Sequence, residues 1–144
     1  MSEPAVGYRF KVEIEGHDLG VFTKVEGLGA KYEVLTVKEG GENSFVHKLP
    51  GRIEYDDLKL TRPVDEVSGN LAAWFTGYQD AIRRQQRLQL ATASISAFNG
   101  DDKVVARWSL RGVFPVRYSG PSFEAGGSKL LTETLELSHQ GFWG

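Results

Sequence analysis

From Tyr8 to Glu15 apolar and charged side chains alternate strictly. Tyr8, Phe10, Val12 and Ile14 fall on one side, and Arg9, Lys11, Glu13 and Glu15 on the other. Successive strand residues point to opposite faces, so this pattern predicts a half-buried strand with a charged outer face. Gly16-His17-Asp18 reads as a turn into a second strand, roughly Leu19 to Glu26, and Gly27-Leu28-Gly29 interrupts the pattern again. The next strand, about Lys31 to Glu39, is apolar on both faces, with Tyr32 and Val34 on one and Leu35 and Val37 on the other. Such a strand is either central to a two-layered core or covered by another subunit.

Gly40-Gly41 then opens a polar excursion with Phe45 to Lys48 as a short strand and Leu49-Pro50-Gly51 as a turn. Strand residues resume from Arg52 to Thr61 and stop at Arg62-Pro63, because proline cannot donate to a ladder and holds the preceding residue extended. A helix follows over residues 66–84, with Asp65 or Ser68 as its N-cap. Val67, Leu71, Trp74, Phe75, Tyr78 and Ile82 form one stripe along it, and Arg83, Arg84 and Arg87 stand at the C-terminal end favoured by the helix dipole. Leu88 to Phe98 and Lys103 to Val113 read as a hairpin about Asn99-Gly100-Asp101-Asp102, with Pro115 ending the second strand. Tyr118 to Ser128 reads as a loop and Lys129 to His139 as the last strand. Leu131, Leu135 and Leu137 share its apolar face with Glu133, whose carboxylate there requires an arginine or backbone donors. The sum is six to eight strands and one helix: a mainly β domain, an antiparallel barrel or two-sheet sandwich with a helix at its side.

Composition narrows the function. At 144 residues the chain suits one domain, able to bury about 68–70% of its unfolded surface without staples. There is no cysteine, so disulfides, thiol catalysis and cysteine-ligated zinc are excluded. A formal charge of −2 with interspersed signs argues against a dedicated DNA-binding surface. The first residues hold no apolar run suited to a signal peptide or membrane span, so synthesis in the cytoplasm is expected. His17, His47 and His139 stand apart, with no metal-ligand spacing. The aspartate pairs 56–57 and 101–102 sit at turns, where aspartate bonds its own backbone, and the glycine runs match no phosphate cradle. No catalytic, cofactor or metal site is expected. Sheet apolar on both faces, and strand edges that a small barrel leaves open, point instead to assembly.

The runs KLPGRIEYDDLKLTRPVDEVSGNLAAWF, FKVEIEGHDLGVFTKVEGLGAKYEV and ARWSLRGVFPVRYSGPSFEAGGSKLLTETLELSHQGF extend over nearly the whole chain. Together they resemble the inner tube (tail tube) proteins of contractile phage tails and phage-tail-like extracellular injection systems. The resemblance implies a fold related to the type VI secretion tube protein, six subunits per ring, and rings stacked into a hollow tube. It also implies a sheath around the tube, baseplate or hub and terminator proteins at its ends, and effector proteins or phage DNA in the lumen. The particle or virion would be released from the cell. The single domain would carry an N-terminal arm over residues 1–7 and an extended inter-subunit loop or hairpin over 39–51.

On that reading Glu39, Glu42, Asn43, Phe45, Val46, His47, Lys48 and Arg52 reach a neighbour or the next ring. Arg62, Asp65, Trp74, Phe75, Tyr78 and Glu133 stand at a subunit boundary, and Arg9, Lys11, Glu13 and Glu15 are candidates for the lumen wall. A tube-initiating paralogue at the baseplate and, in a different class, a small ligand-binding barrel are the alternatives. The Thr92, Ser94 and Ser96 face disfavours the apolar cavity such a carrier needs. A hydrolase built on dispersed carboxylates is the remaining one.

Overall fold

The computed structural model describes residues 8–15, 17–38, 46–64, 69–85, 91–121 and 131–143. In chain order the strands are β1 (Arg9–Ile14), β2 (His17–Phe22), β3 (Lys24–Glu26), β4 (Ala30–Lys38), β5 (Val46–Tyr55) and β6 (Leu58–Pro63). Helix α1 (Gly69–Gln85) follows, then β7 (Ala91–Phe98), β8 (Val104–Ser119), β9 (Thr132–Ser138) and β10 (Gly141–Trp143).

Seven strands run in the order β2-β1-β7-β8-β9-β6-β3, all neighbours antiparallel, and β10 extends β9 alongside β8. The two ends of this path are consecutive in sequence. Thr23 joins β2 to β3 and donates its backbone N–H to Thr61 of β6 at 2.9 Å. The segment from His17 to Glu26 is thus bonded first to β1 and then to β6, and the sheet returns on itself as a barrel. Open strand edges were expected from the sequence, and here the barrel closes its own. Closure needs a strand that changes partner at a bend, which hydropathy does not register.

The core follows the alternation in β1, where Val12 and Ile14 are buried, and meets Phe22, Leu58, Leu60, Ile95, Leu110, Leu135 and Leu137. Tyr8 and Leu131, at the ends of their patterns, are exposed. Helix α1 brings the buried Leu71 and the half-buried Trp74 and Phe75 onto this core, as the stripe requires. Its proposed caps, Asp65 and Ser68, lie outside the described residues, as do 88–90 of the strand expected from Leu88.

Pro63 ends β6 as expected, but Pro50, read as part of a turn, and Pro115, read as a strand end, both lie inside strands. Pro50 sits within β5 beside a bulge, where Gly51 and Arg52 stand opposite Glu33. Its missing N–H is tolerated on a two-stranded ladder bonded along one edge only. The chain breaks at Asp56-Asp57 instead, so the expected strand from Arg52 to Thr61 is divided between β5 and β6. Pro115 falls where β8 changes partner, from β7 before it to β9 after it. Tyr118 and Ser119 accordingly extend β8 rather than open a loop, and residues 122–130 of that loop are outside the described set.

Strands β4 and β5 do not join the barrel. They pair only with each other, from Ala30↔Tyr55 to Lys38↔Val46, as a projecting ribbon. The strand read as apolar on both faces is therefore not central; every residue of β4 is exposed. The ribbon leaves the barrel through a narrow waist, Gly27-Leu28-Gly29 on one side and Asp56-Asp57 on the other, tied by Asp56 N–H donating to Gly29 O at 3.1 Å. Gly27 has a φ of 91°, and a Cβ there would collide with the Asp57 carbonyl oxygen, so the waist closes only around glycine.

Candidate assembly surface

Pairing register places opposite residues on one face. One face of the ribbon carries Tyr32 with Ile53, Val34 with Pro50, and Thr36 with Lys48. The other carries Lys31 with Glu54, Leu35 with Leu49, and Val37 with His47. Tyr32 and Val34 are each 61% exposed, and Leu35, Val37, Val46, Leu49 and Ile53 are also largely open. A two-stranded hairpin is marginal by itself in water, and this one presents large apolar side chains on both faces. Contiguous apolar surface rimmed by charge marks an interaction site.

Of the residues the sequence assigned to this excursion, Val46, His47, Lys48 and Arg52 lie exposed on β5. Glu39, Glu42, Asn43, Phe45 and Asp65 lie outside the described residues. Also exposed on the ribbon are Tyr32, Val34, Leu35, Val37, Leu49 and Ile53. For Tyr32, Val34, Leu35 and Val37 the signal was the two-faced apolar pattern; Leu49, read as part of a turn, and Ile53 had none.

Arg62 and Glu133 are not at a boundary. They are 4% and 1% exposed within one chain, with Arg62 Nε donating to Glu133 Oε1 at 2.7 Å. Arg62 Nη1 also donates to the Leu19 carbonyl at 2.5 Å, and the guanidinium lies 5.1 Å from the Phe22 ring centre. The second carboxylate oxygen accepts the Tyr118 hydroxyl at 2.5 Å, and Tyr118 packs beside Phe75 of α1. The predicted arginine partner of Glu133 is thus present, but it serves the barrel seam, linking β2, β6, β8 and β9. Trp74 and Phe75 turn to the core with it, and Tyr78 is half-buried.

The hydrogen bond to Glu133, with burial adding to it, pushes the Tyr118 phenol up to about 12 from its ordinary 10. The folded state therefore holds this proton more tightly than the unfolded state. The stabilisation is whole below about pH 10 and is lost as pH rises through the folded value. Denaturant melts of the soluble subunit at about pH 9 and about pH 11 check this: stability falls between them, and Tyr118→Phe flattens the fall.

Arg9, Lys11 and Glu13 share the outer face of β1, whereas Glu15 lies just past its end with a φ of 46° and does not continue that face. Lys11 Nζ lies 3.3 Å from Glu13 and 3.6 Å from Asp18, and Arg9 pairs with Asp102. The hydrogen bond to Glu13 and the charge of Asp18 raise the Lys11 ammonium above its usual value. Register continues this face through Ser96, opposite Lys11, to Arg107, whose Nε donates to Ser96 Oγ at 3.2 Å. Ser94 and Ser109 lie on it too. The result is a small-residue, mixed-charge surface across three strands.

Among the described residues no group of three or more His, Asp or Glu is placed to hold a metal, and no helix is long and apolar enough to cross a membrane. A closed core with an unsheltered two-faced ribbon is the architecture of a structural protein. Comparison with known proteins gives that class its family. The chain belongs to the T4-like virus tail tube protein gp19 family, whose model matches residues 6–143. It is a tail tube protein of the kind found in contractile injection systems.

Among solved structures, it is similar to a chain of the anti-feeding prophage baseplate, with 30% identity, a TM-score of 0.73, and coverage of 99% of this chain and 96% of that one. A chain of the PVC sheath-tube complex of an extracellular contractile injection system, in the extended state, gives a TM-score of 0.77 at 22% identity over 99% and 92%. Hcp1 from Flavobacterium johnsoniae shares the fold more distantly, with a TM-score of 0.53 at 14% identity over 94% and 93%. A comparison with curated protein sequences finds no match.

Proposed function

We propose that this chain is the main inner-tube subunit, closing as hexameric rings that stack into a hollow tube within a contractile sheath. The observation that carries the reading is the ribbon: apolar on both faces, outside its own core, and joined to it by a waist of a few residues. Covering what remains exposed of Tyr32, Val34, Leu35, Val37, Leu49 and Ile53 stabilises a contact by roughly 1 kcal/mol per side chain. Another copy is the occupant this reading assigns, through a heterologous interface that closes by rotation and repeats by stacking.

Residues 39–51, of which 46–51 belong to β5, reach a neighbour or the next ring, and residues 1–7, outside the described residues, act as an arm. The face of Lys11, Glu13, Ser94 and Arg107 lines the lumen, where short side chains and charges of both signs give effector proteins or DNA little to adhere to. The sheath, baseplate and terminator are the other partners; similar chains occur in a sheath-tube complex, a baseplate and a tube-terminating cap. The subunit is a building element and performs no catalysis.

Electron microscopy of the purified protein, alone and with baseplate components, tests this. Long regular tubes are expected. Isolated rings that never extend would assign the chain to tube initiation, and a monomer under every nucleating condition would overturn the reading.

A further inference from the structure

His139 stands beside the waist of the ribbon and is buried. Its Nδ1 accepts the backbone N–H of Gly141 at 3.2 Å. A nitrogen that accepts carries no proton, so the proton of the neutral ring is on Nε2, which donates to the Asp56 carbonyl at 3.1 Å. Asp56 is also the residue whose N–H ties the two sides of the waist at Gly29. The imidazole thus bolts the ribbon's exit to the junction of β9 and β10. Its ring packs 5.5 Å from Tyr55, the last residue of β5, and 6.0 Å from Phe142, centre to centre. Gly141, with a φ of 152°, holds the junction open for this arrangement; a Cβ there would press on Arg111 Nε and the Tyr55 ring.

We propose that His139 sets the direction in which the ribbon leaves the barrel, and that it does so only as the neutral Nε2–H ring, so that acid loosens the ribbon. The proposal rests on the ribbon being the assembly element. Imidazolium has two donors and no acceptor, so gaining a proton turns Nδ1 against the Gly141 N–H. The bond at that point is replaced by two donors facing each other in a buried position.

The charged and titratable groups around it are few. Asp56 and Asp57 lie in the waist, Arg111 on β8 approaches Gly141, and the Tyr55 hydroxyl faces the same glycine. Asp56 presents its backbone carbonyl to the ring. Among the described residues none of the other groups bonds to the ring, so no carboxylate there takes over the Nδ1 acceptor role when the ring is charged.

The test uses the soluble, unpolymerised subunit, so that it stands apart from whether tubes form. Nitrogen NMR of isotope-labelled histidine at about pH 8 should report the Nε2–H tautomer for His139. On lowering the pH, protection of the Gly141 and Asp56 amides against hydrogen exchange should fall about tenfold as that ring takes up its proton, the scale of one hydrogen bond. His139→Asn keeps an acceptor near the Gly141 N–H but cannot become charged, so it should hold Gly141 protection constant over the same range. His139→Phe keeps the ring packing and should show low protection at every pH. A proton on Nδ1 at neutral pH would overturn the proposal, as would protection at the waist that ignores the charge of His139. If those tests hold and tubes still never form, the fault lies with the tube reading and not with the clamp.

Discussion

Leu35→Glu combined with Leu49→Lys leaves a folded, soluble subunit that no longer forms tubes. The two positions face each other across the ribbon, so the variant keeps an oppositely charged cross-strand pair in place of the apolar one. Both side chains are largely exposed in the isolated chain, and surface changes of that kind move stability by about 0.5 kcal/mol or less. In an assembled contact the same pair must be desolvated. Removing two apolar anchors and burying two charges costs about 4 kcal/mol or more per subunit, close to a thousandfold in each association constant. Circular dichroism and size exclusion report the fold, and electron microscopy reports the tubes. Normal tubes from this variant would mean that this face of the ribbon stays wet, and the proposed assembly would lose its main support.

The second large effect is on the barrel itself. Glu133→Ala destabilises the soluble subunit by about 3 to 5 kcal/mol, because it strands a buried guanidinium. Arg62 has little to fall back on among the described residues: its Nη2 is buried with no hydrogen-bond partner there, and its other contacts there are the Leu19 carbonyl and the face of Phe22. Tyr118 loses its acceptor as well. Replacing both charges, as Arg62→Met with Glu133→Leu, removes the stranded ion and should recover most of the loss, since desolvating a buried pair consumes much of its attraction. Urea melts of the three proteins decide between them. A loss under about 1 kcal/mol in Glu133→Ala would show that the barrel relaxes to let water reach Arg62, and that the pair does not hold the seam.

The sequence was most legible where one periodicity ran unbroken against one core. Strict alternation gave β1 and its charged face, and the i, i+4, i+7 stripe gave α1 with Leu71 buried in its first turn. The demand of Glu133 for an arginine was also readable, because a carboxylate among leucines has few solutions. Its partner was not, since Arg62 meets it only through the β6–β9 register, and residue identity carries no record of register. Pro50 and Pro115 misled for a related reason. Proline forbids a second ladder bond at its own position, and both lie where the ladder is interrupted. The bend at Thr23 left no trace in hydropathy, although it closes the barrel. The ribbon residues were visible as a two-faced apolar strand, yet the pattern alone left two placements open, a central strand or a covered one. Register and exposure separate them.

The ribbon also bears on the life of the chain before it finds a neighbour. Each of its strands keeps an outer edge with no ladder partner in the described residues, and such edges template stray cross-chain pairing. Lys31, Lys38, Lys48 and Arg52 punctuate the apolar run, and Pro50 with its bulge kinks the edge, both of which discourage wrong partners without covering the hydrophobic surface. A newly made copy therefore keeps an apolar edge open to whatever strand or peptide it meets first. Its lifetime in the cell should be set by how soon a growing end captures it.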